Sequence, residues 1–95
     1  MANGYGIAHV DVTDADNYSL YVAASSEVIQ EFGSRTIIRA GRFEAREGSS
    51  RARNVVLEFE SYEKALATYQ SAGYQEALKR RQQFGMSDFI VVEGA

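Results

Sequence analysis

Four short apolar segments alternate with helical stretches in a set order, and that order constrains the fold of this chain more than any other feature. Ile7-Ala8-His9-Val10-Asp11-Val12 reads as a strand within residues 6–12, because it is short, apolar and bounded by turn formers. Residues 35–40, 54–59 and 87–93 read the same way, with Val55-Val56-Leu57-Glu58-Phe59 and Phe89-Ile90-Val91-Val92 at the centres of the last two. Thr13 opens a helix after the first strand, and Thr13-Asp14-Ala15-Asp16 has the capping-box spacing with Asp in the usual place of Glu. Tyr18, Tyr21, Val22, Val28, Ile29 and Phe32 share a face of that helix, and Gly33 supplies its C′ position. Ser61 is an N-cap for a second helix, and Glu63 suits the positive end of its dipole. Ala65, Leu66 and Tyr69 point one way on it. Gly73 interrupts it, and Ser71-Ala72-Gly73 starts a second helical piece carrying Tyr74, Ala77, Leu78 and Phe84, which Gly85 ends. Residues 43–53 form a polar arm with the turn cluster Glu47-Gly48-Ser49-Ser50. The order β-α-β-β-α-β is that of the α+β, ferredoxin-like unit: a four-stranded antiparallel sheet with both helices on one face. Residues 1–95 are read as one domain of this kind, a length at which further domains are not expected.

Composition narrows the chemistry. The chain has no cysteine and one histidine, which leaves no disulfide framework, no thiolate metal site or nucleophile, and no multi-histidine metal site within one subunit. No apolar run approaches the roughly 20 residues of a membrane span, so no membrane partner is expected. The start, Met1-Ala2-Asn3-Gly4-Tyr5, lacks the basic region of a secretion signal, which fits a cytoplasmic protein. Charge is uneven: residues 1–34 carry five acids and no Lys or Arg, whereas residues 35–53 carry six arginines and two acids. The net charge of −3 and pI near 5.1 argue against a nucleic-acid partner, because phosphate contacts dominate that affinity. The arginine-rich middle reads first as a solvated hairpin. It can also hold a small anion, or meet the acidic segment across a subunit interface.

Side chains alternate faces along a strand. Ala8, Val10 and Val12 then face one side with Thr36, Ile38 and Ala40 and with Val55, Leu57 and Phe59. These wholly apolar sets suit the helix-covered core. The other face carries Ile7, Ile37, Val56 and half of the last strand, too much apolar surface for water on so small a sheet. A homodimer with its sheets face to face is expected. His9, Arg39 and Glu58 fall on that same open face, with Arg39 expected to pair with Glu58 and His9 to lie on the adjoining strand as a general base, proton shuttle or ligand donor. These three are the candidate catalytic residues, and the plain alternative is an interface salt bridge beside a packed histidine. Tyr18, Tyr21, Tyr69 and Tyr74 stand at helical spacing and read as core, with a ligand-facing phenol as the alternative. Lys79-Arg80-Arg81 reads as a basic cluster favouring the helix C-terminus. Walker, dinucleotide-glycine and metalloprotease motifs are absent. An RNA-recognition module shares the element order, but Glu58 on the open face would repel phosphate.

The stretches Ile7-Ala8-His9-Val10-Asp11-Val12-Thr13-Asp14, Ile38-Arg39-Ala40-Gly41, Glu47-Gly48, Arg53-Asn54-Val55-Val56-Leu57-Glu58-Phe59, Ser71-Ala72-Gly73-Tyr74 and Val92-Glu93-Gly94, in this order and spacing, resemble the family called domain of unknown function 1330 of the dimeric α/β-barrel superfamily. The resemblance runs from about Tyr5 to Gly94. Ser49-Ser50-Arg51-Ala52 departs from the aromatic and proline usual after Glu-Gly, and Glu60 stands where a proline often precedes Ser61. The resemblance implies the fold, a dimer and a pocket, but no catalytic residues. A haem-degrading relative would be expected to have a pocket tryptophan, and this chain has none. The superfamily implies a small enzyme without cofactor or metal, an oxygenase or isomerase acting on a small organic acid or aromatic. The alternative is a non-catalytic ligand-binding or regulatory dimer.

Overall fold

The computed structural model describes residues 2–95; Met1, part of the neutral start read above, lies outside the described residues. The elements follow as β1 (Gly4–Val12), α1 (Ala15–Glu31), β2 (Arg35–Arg39), β3 (Arg53–Phe59), α2 (Tyr62–Gln70), α3 (Ala72–Phe84) and β4 (Gly85–Glu93). The strands form one antiparallel sheet in the order β2-β3-β1-β4, the ferredoxin-like arrangement. The second helical region is split at Ser71, which ends α2 and caps α3 through its hydroxyl, an acceptor for Tyr74 N–H. Asp14, rather than Thr13, caps α1: its carboxylate accepts from Asn17 N–H and from the Asn17 side chain. Those two bonds hold the Asp14 carboxyl below the usual range.

The core lies between the sheet and the helices. Ala8, Val10, Leu57 and Phe59 of the sheet meet Tyr18 and Tyr21 of α1, Ala65 of α2, and Tyr74, Ala77 and Leu78 of α3. Helix α1 packs chiefly on α3. Gly73 permits this approach, since a β-carbon there would stand 3.0 Å from Val28 Cγ2. With α1 drawn toward α3, the sheet edge formed by β2 is thinly covered.

Face alternation holds on β1 and β3 and fails halfway along β2. Arg35 opposes Glu58 and Thr36 opposes Leu57, but the next matched pairs are Ile38 with Val56 and Arg39 with Val55. One extra residue, Ile37, sits in a bulge and reverses every later side chain of the strand. Ile38 therefore joins the open face, whereas Arg39 joins the helix-covered face with Val55, Ala8 and Phe89. Strict alternation over residues 35–40 places both the other way, and the bulge is the correction.

Candidate functional site

The register sorts the sheet into rows. Across the open face run Arg35, Glu58, Tyr5 and Val92; then Ile38, Val56, Ile7 and Ile90; then Asn54, His9 and Asp88. The expected meeting of His9, Arg39 and Glu58 does not occur. His9 and Glu58 share the face but stand four residues apart along the ladder, about 13 Å at the rise of a strand. Arg39 is on the other side of the sheet. Glu58 pairs with Arg35, whose Nε donates to Oε1 at 2.7 Å, while Tyr5 Oη donates to Oε2 at 3.2 Å. The Arg35 hydrogen bond is the main reason the Glu58 carboxyl lies below its ordinary value. His9 Nδ1 donates to Asn54 Oδ1 at 2.6 Å. Arg51 of the arm bridges β1 and β4, donating to Asp11 at 2.9 Å and Asp88 at 3.0 Å, and the Ala52 N–H also donates to Asp11. The backbone bond from Ala52, then Arg51, holds the Asp11 carboxyl down, and the two carboxylates hold Arg51 firmly protonated. His9, Asp11, Ser49, Ser50, Arg51 and Asp88 line a shallow polar cleft here. Among the described residues no cluster of acids and histidine suits a metal.

The opposite face holds a different kind of site. A cavity of about 110 Å³ lies between α1 and the sheet. Ala8, Val10 and Val55 form its floor, and Tyr18, Tyr21 and Tyr74 its aromatic wall. Arg39, Arg53 and Arg81 also line it, with no Asp, Glu or His beside them. Val22, Ser26 and Arg39 are its exposed members and mark a mouth between α1 and the edge strand. Tyr21 and Tyr74 share a hydroxyl–hydroxyl hydrogen bond of 2.8 Å, and Arg81 Nη1 donates to Tyr74 Oη at 3.2 Å. The Arg81 guanidinium lies 5.3 Å from the Phe89 ring centre and 5.7 Å from that of Tyr21, while Arg53 lies 5.7 Å from that of Tyr18. Arg81 is 4% exposed, and the buried Nε atoms of Arg81 and Arg53 have no hydrogen-bond partner among the described residues. Burial, reinforced by neighbouring phenols, pushes the Tyr74 hydroxyl well above its usual value, and burial likewise raises Tyr18. Both are neutral phenols at pH 7, able to donate and accept hydrogen bonds.

Arg53 and Arg81, which the sequence places in a polar arm and in a basic helix C-terminus, both lie on core-facing periods. Arg53 sits two residues before Val55 and four before Leu57, on the core-facing parity of β3. Arg81 follows Ala77 by four and Tyr74 by seven, on the buried face of α3. Reading Lys79-Arg80-Arg81 as one exposed cluster obscures that period: Lys79 and Arg80 are exposed, and Arg81 is not.

The chain is thus a ferredoxin-like domain with a cationic cavity under its helices. The chain belongs to the family described as domain of unknown function (DUF1330), which it matches over residues 3–95. No curated protein matches it in sequence. Among solved structures, a protein of unknown function from Rhodopseudomonas palustris is 18% identical, with a TM-score of 0.75 over 99% of this chain and 83% of the other. A dimeric ferredoxin-like protein of unknown function from Thermobifida fusca is 16% identical, with a TM-score of 0.63 over 99% and 91%. SnoaB, a cofactor-independent oxygenase from Streptomyces nogalater, is 7% identical, with a TM-score of 0.64 over 97% and 92%. At these identities the likeness is one of fold.

Proposed function

We propose that this protein takes a small organic molecule into the cavity between α1 and the sheet and acts on it with its own side chains, as a cofactor-free enzyme working as a homodimer. The cavity with its three arginines and three tyrosines carries the reading. Guanidinium and phenol donors held in a largely buried site stabilise negative charge that develops on a substrate oxygen. Arg39, expected beside Glu58 on the open face, stands instead at the mouth of the cavity, where its charge draws an anion inward. His9 and Glu58 belong to the open face, where the row Ile38, Val56, Ile7 and Ile90 crosses all four strands. Ile38 is 47% and Ile90 55% exposed, and a second copy meeting this row would cover them. The dimeric state of the Thermobifida fusca protein and the cofactor-independent oxygenase activity of SnoaB agree with the reading.

Binding without turnover is the second reading. One observation favours it: the cavity lining includes no carboxylate or imidazole to serve as a general base. A thermal-shift screen of small organic acids and aromatics, followed by product analysis of each hit after aerobic incubation, separates the two. A hit that is consumed supports the enzyme, and a hit recovered intact supports the binder. A screen in which no compound raises the melting temperature sinks both.

A further inference from the structure

The cavity is electrostatically incomplete. Of the described salt bridges, those of Arg35 and Arg51 lie on the open face and those of Lys64 and Lys79 on helix surfaces or ends; none involves Arg39, Arg53 or Arg81. Arg81 is almost wholly buried, and one phenol oxygen and the faces of two rings are its surroundings. A buried guanidinium without a counter-charge costs several kcal/mol. Ring faces and a neutral hydroxyl offset part of that cost, and the bare Nε atoms of Arg53 and Arg81 leave the rest. We infer that the cavity is a binding site for a planar organic carboxylate about one ring in size, its carboxylate held by Arg81 and Arg53 and its ring by Tyr18, Tyr21 and Phe89. The inference rests on the small-molecule reading above and specifies the ligand class.

Three features choose this class. The planar guanidinium fork matches a carboxylate bidentately. Apart from the hydroxyls of Ser25, Ser26 and Thr36, the remaining wall is aromatic and aliphatic, so a compact inorganic anion would leave most of it unused. A cavity of about 110 Å³, below the roughly 150 Å³ that holds benzene, encloses part of one ring, and the mouth at Val22, Ser26 and Arg39 leaves space for the remainder. The Tyr21–Tyr74 hydroxyl pair also has a second role here. If Tyr74 donates to Tyr21 while accepting from Arg81, the Tyr21 proton is free to reach a ligand oxygen, and the charge of Arg81 is relayed through two phenols.

Calorimetric titration of the purified protein with benzoate, benzamide and inorganic phosphate tests the inference. Benzoate is expected to bind at least about tenfold more tightly than its neutral amide, as for a charge-assisted hydrogen bond in place of a neutral one. Arg81→Met and Arg53→Met are each expected to weaken benzoate at least about tenfold and to leave benzamide within about twofold. Either variant alone carries the test if the other does not fold, as judged by circular dichroism. His9→Asn, on the opposite face, is expected to leave benzoate binding unchanged. Benzamide binding as tightly as benzoate would overturn the carboxylate inference while leaving a small-molecule cavity in place. Phosphate binding more tightly than benzoate would overturn it in favour of an inorganic anion. Binding of none of the three overturns it too, and the broader screen then decides the parent reading separately.

Discussion

The two faces of the sheet treat arginine in opposite ways. On the open face Arg35 and Arg51 are paired with Glu58, Asp11 and Asp88, and each pair ties one strand or the arm to another. On the helix face Arg39, Arg53 and Arg81 line a cavity, Arg53 and Arg81 lie over ring faces, and none of the three forms a salt bridge among the described residues. A paired, half-solvated arginine needs no ligand, because its charge is already balanced and water supplies the rest. A buried arginine facing only neutral groups keeps its charge unbalanced until an anion arrives. The contrast separates the arginines that hold the fold together from those positioned to bind.

Four measurements break or sharpen that contrast. The largest effect belongs to the apolar framework that sets the two faces apart. Leu57, 6% exposed at the centre of β3, is expected to lose about 2–5 kcal/mol of stability as Leu57→Ala in denaturant melts, and a loss below about 1 kcal/mol would mean the faces are misassigned. Next comes the open face. Sedimentation of the wild type at micromolar concentration is expected to give a dimer, and Val56→Lys, in the centre of the apolar row, a monomer. A specific dimer buries at least about 1,000 Å² in total, and a wild-type particle of 10.5 kDa would rule it out. The third measurement separates the two kinds of arginine. Without ligand, Arg81→Met is expected to leave stability unchanged or to raise it by about 1–4 kcal/mol, the range seen when buried charged groups are replaced by apolar ones of similar volume. A loss of about 3–5 kcal/mol would place Arg81 in a structural pair instead.

The smallest effect is the pH dependence of the open-face pairs. Glu58 and Asp11 have carboxyls depressed in the folded state by Arg35 and by Ala52 with Arg51. A depressed carboxyl stabilises the fold fully above its unfolded value, near 4.5 for Glu and 3.8 for Asp, and the contribution disappears as pH falls through the lower folded value. Melting temperature is therefore expected to fall below about pH 4, with a smaller fall in Glu58→Gln, which lacks one depressed carboxyl while Asp11 and Asp14 keep theirs. A Glu58→Gln profile matching the wild type throughout would show that the Arg35 pair adds nothing.

Element order, the cap at Ser61, the restart of the helix at Ser71-Ala72-Gly73, the core parity of β1 and β3 and the family were all legible in the sequence. Each depends on neighbours a few residues apart: alternation of two, a helical period near 3.6, a side chain reaching the next turn. The site was legible only in fragments. Arg53 and Arg81 lay on readable periods, but nothing local distinguishes a charged residue that turns inward from one that swings to solvent. The convergence of His9, Arg39 and Glu58 required that three strands keep perfect alternation and that the three residues share one row.

By itself the sequence determined that this chain builds a ferredoxin-like sheet under helices, because hydrophobic periodicity and turn chemistry act within single segments and leave few other ways to bury their apolar faces. Tertiary structure alone decided where the charges meet. The bulge at Ile37 is a property of the β2–β3 pair and not of β2, and it carries Arg39 from the open face to the cavity. The partner of Glu58 follows from ladder register, which seats Arg35 opposite it. The cavity exists because α1 settles against α3 at Gly73 rather than over β2. Register, helix tilt and cavity volume are sums over contacts distant in the chain, and no local period encodes such a sum.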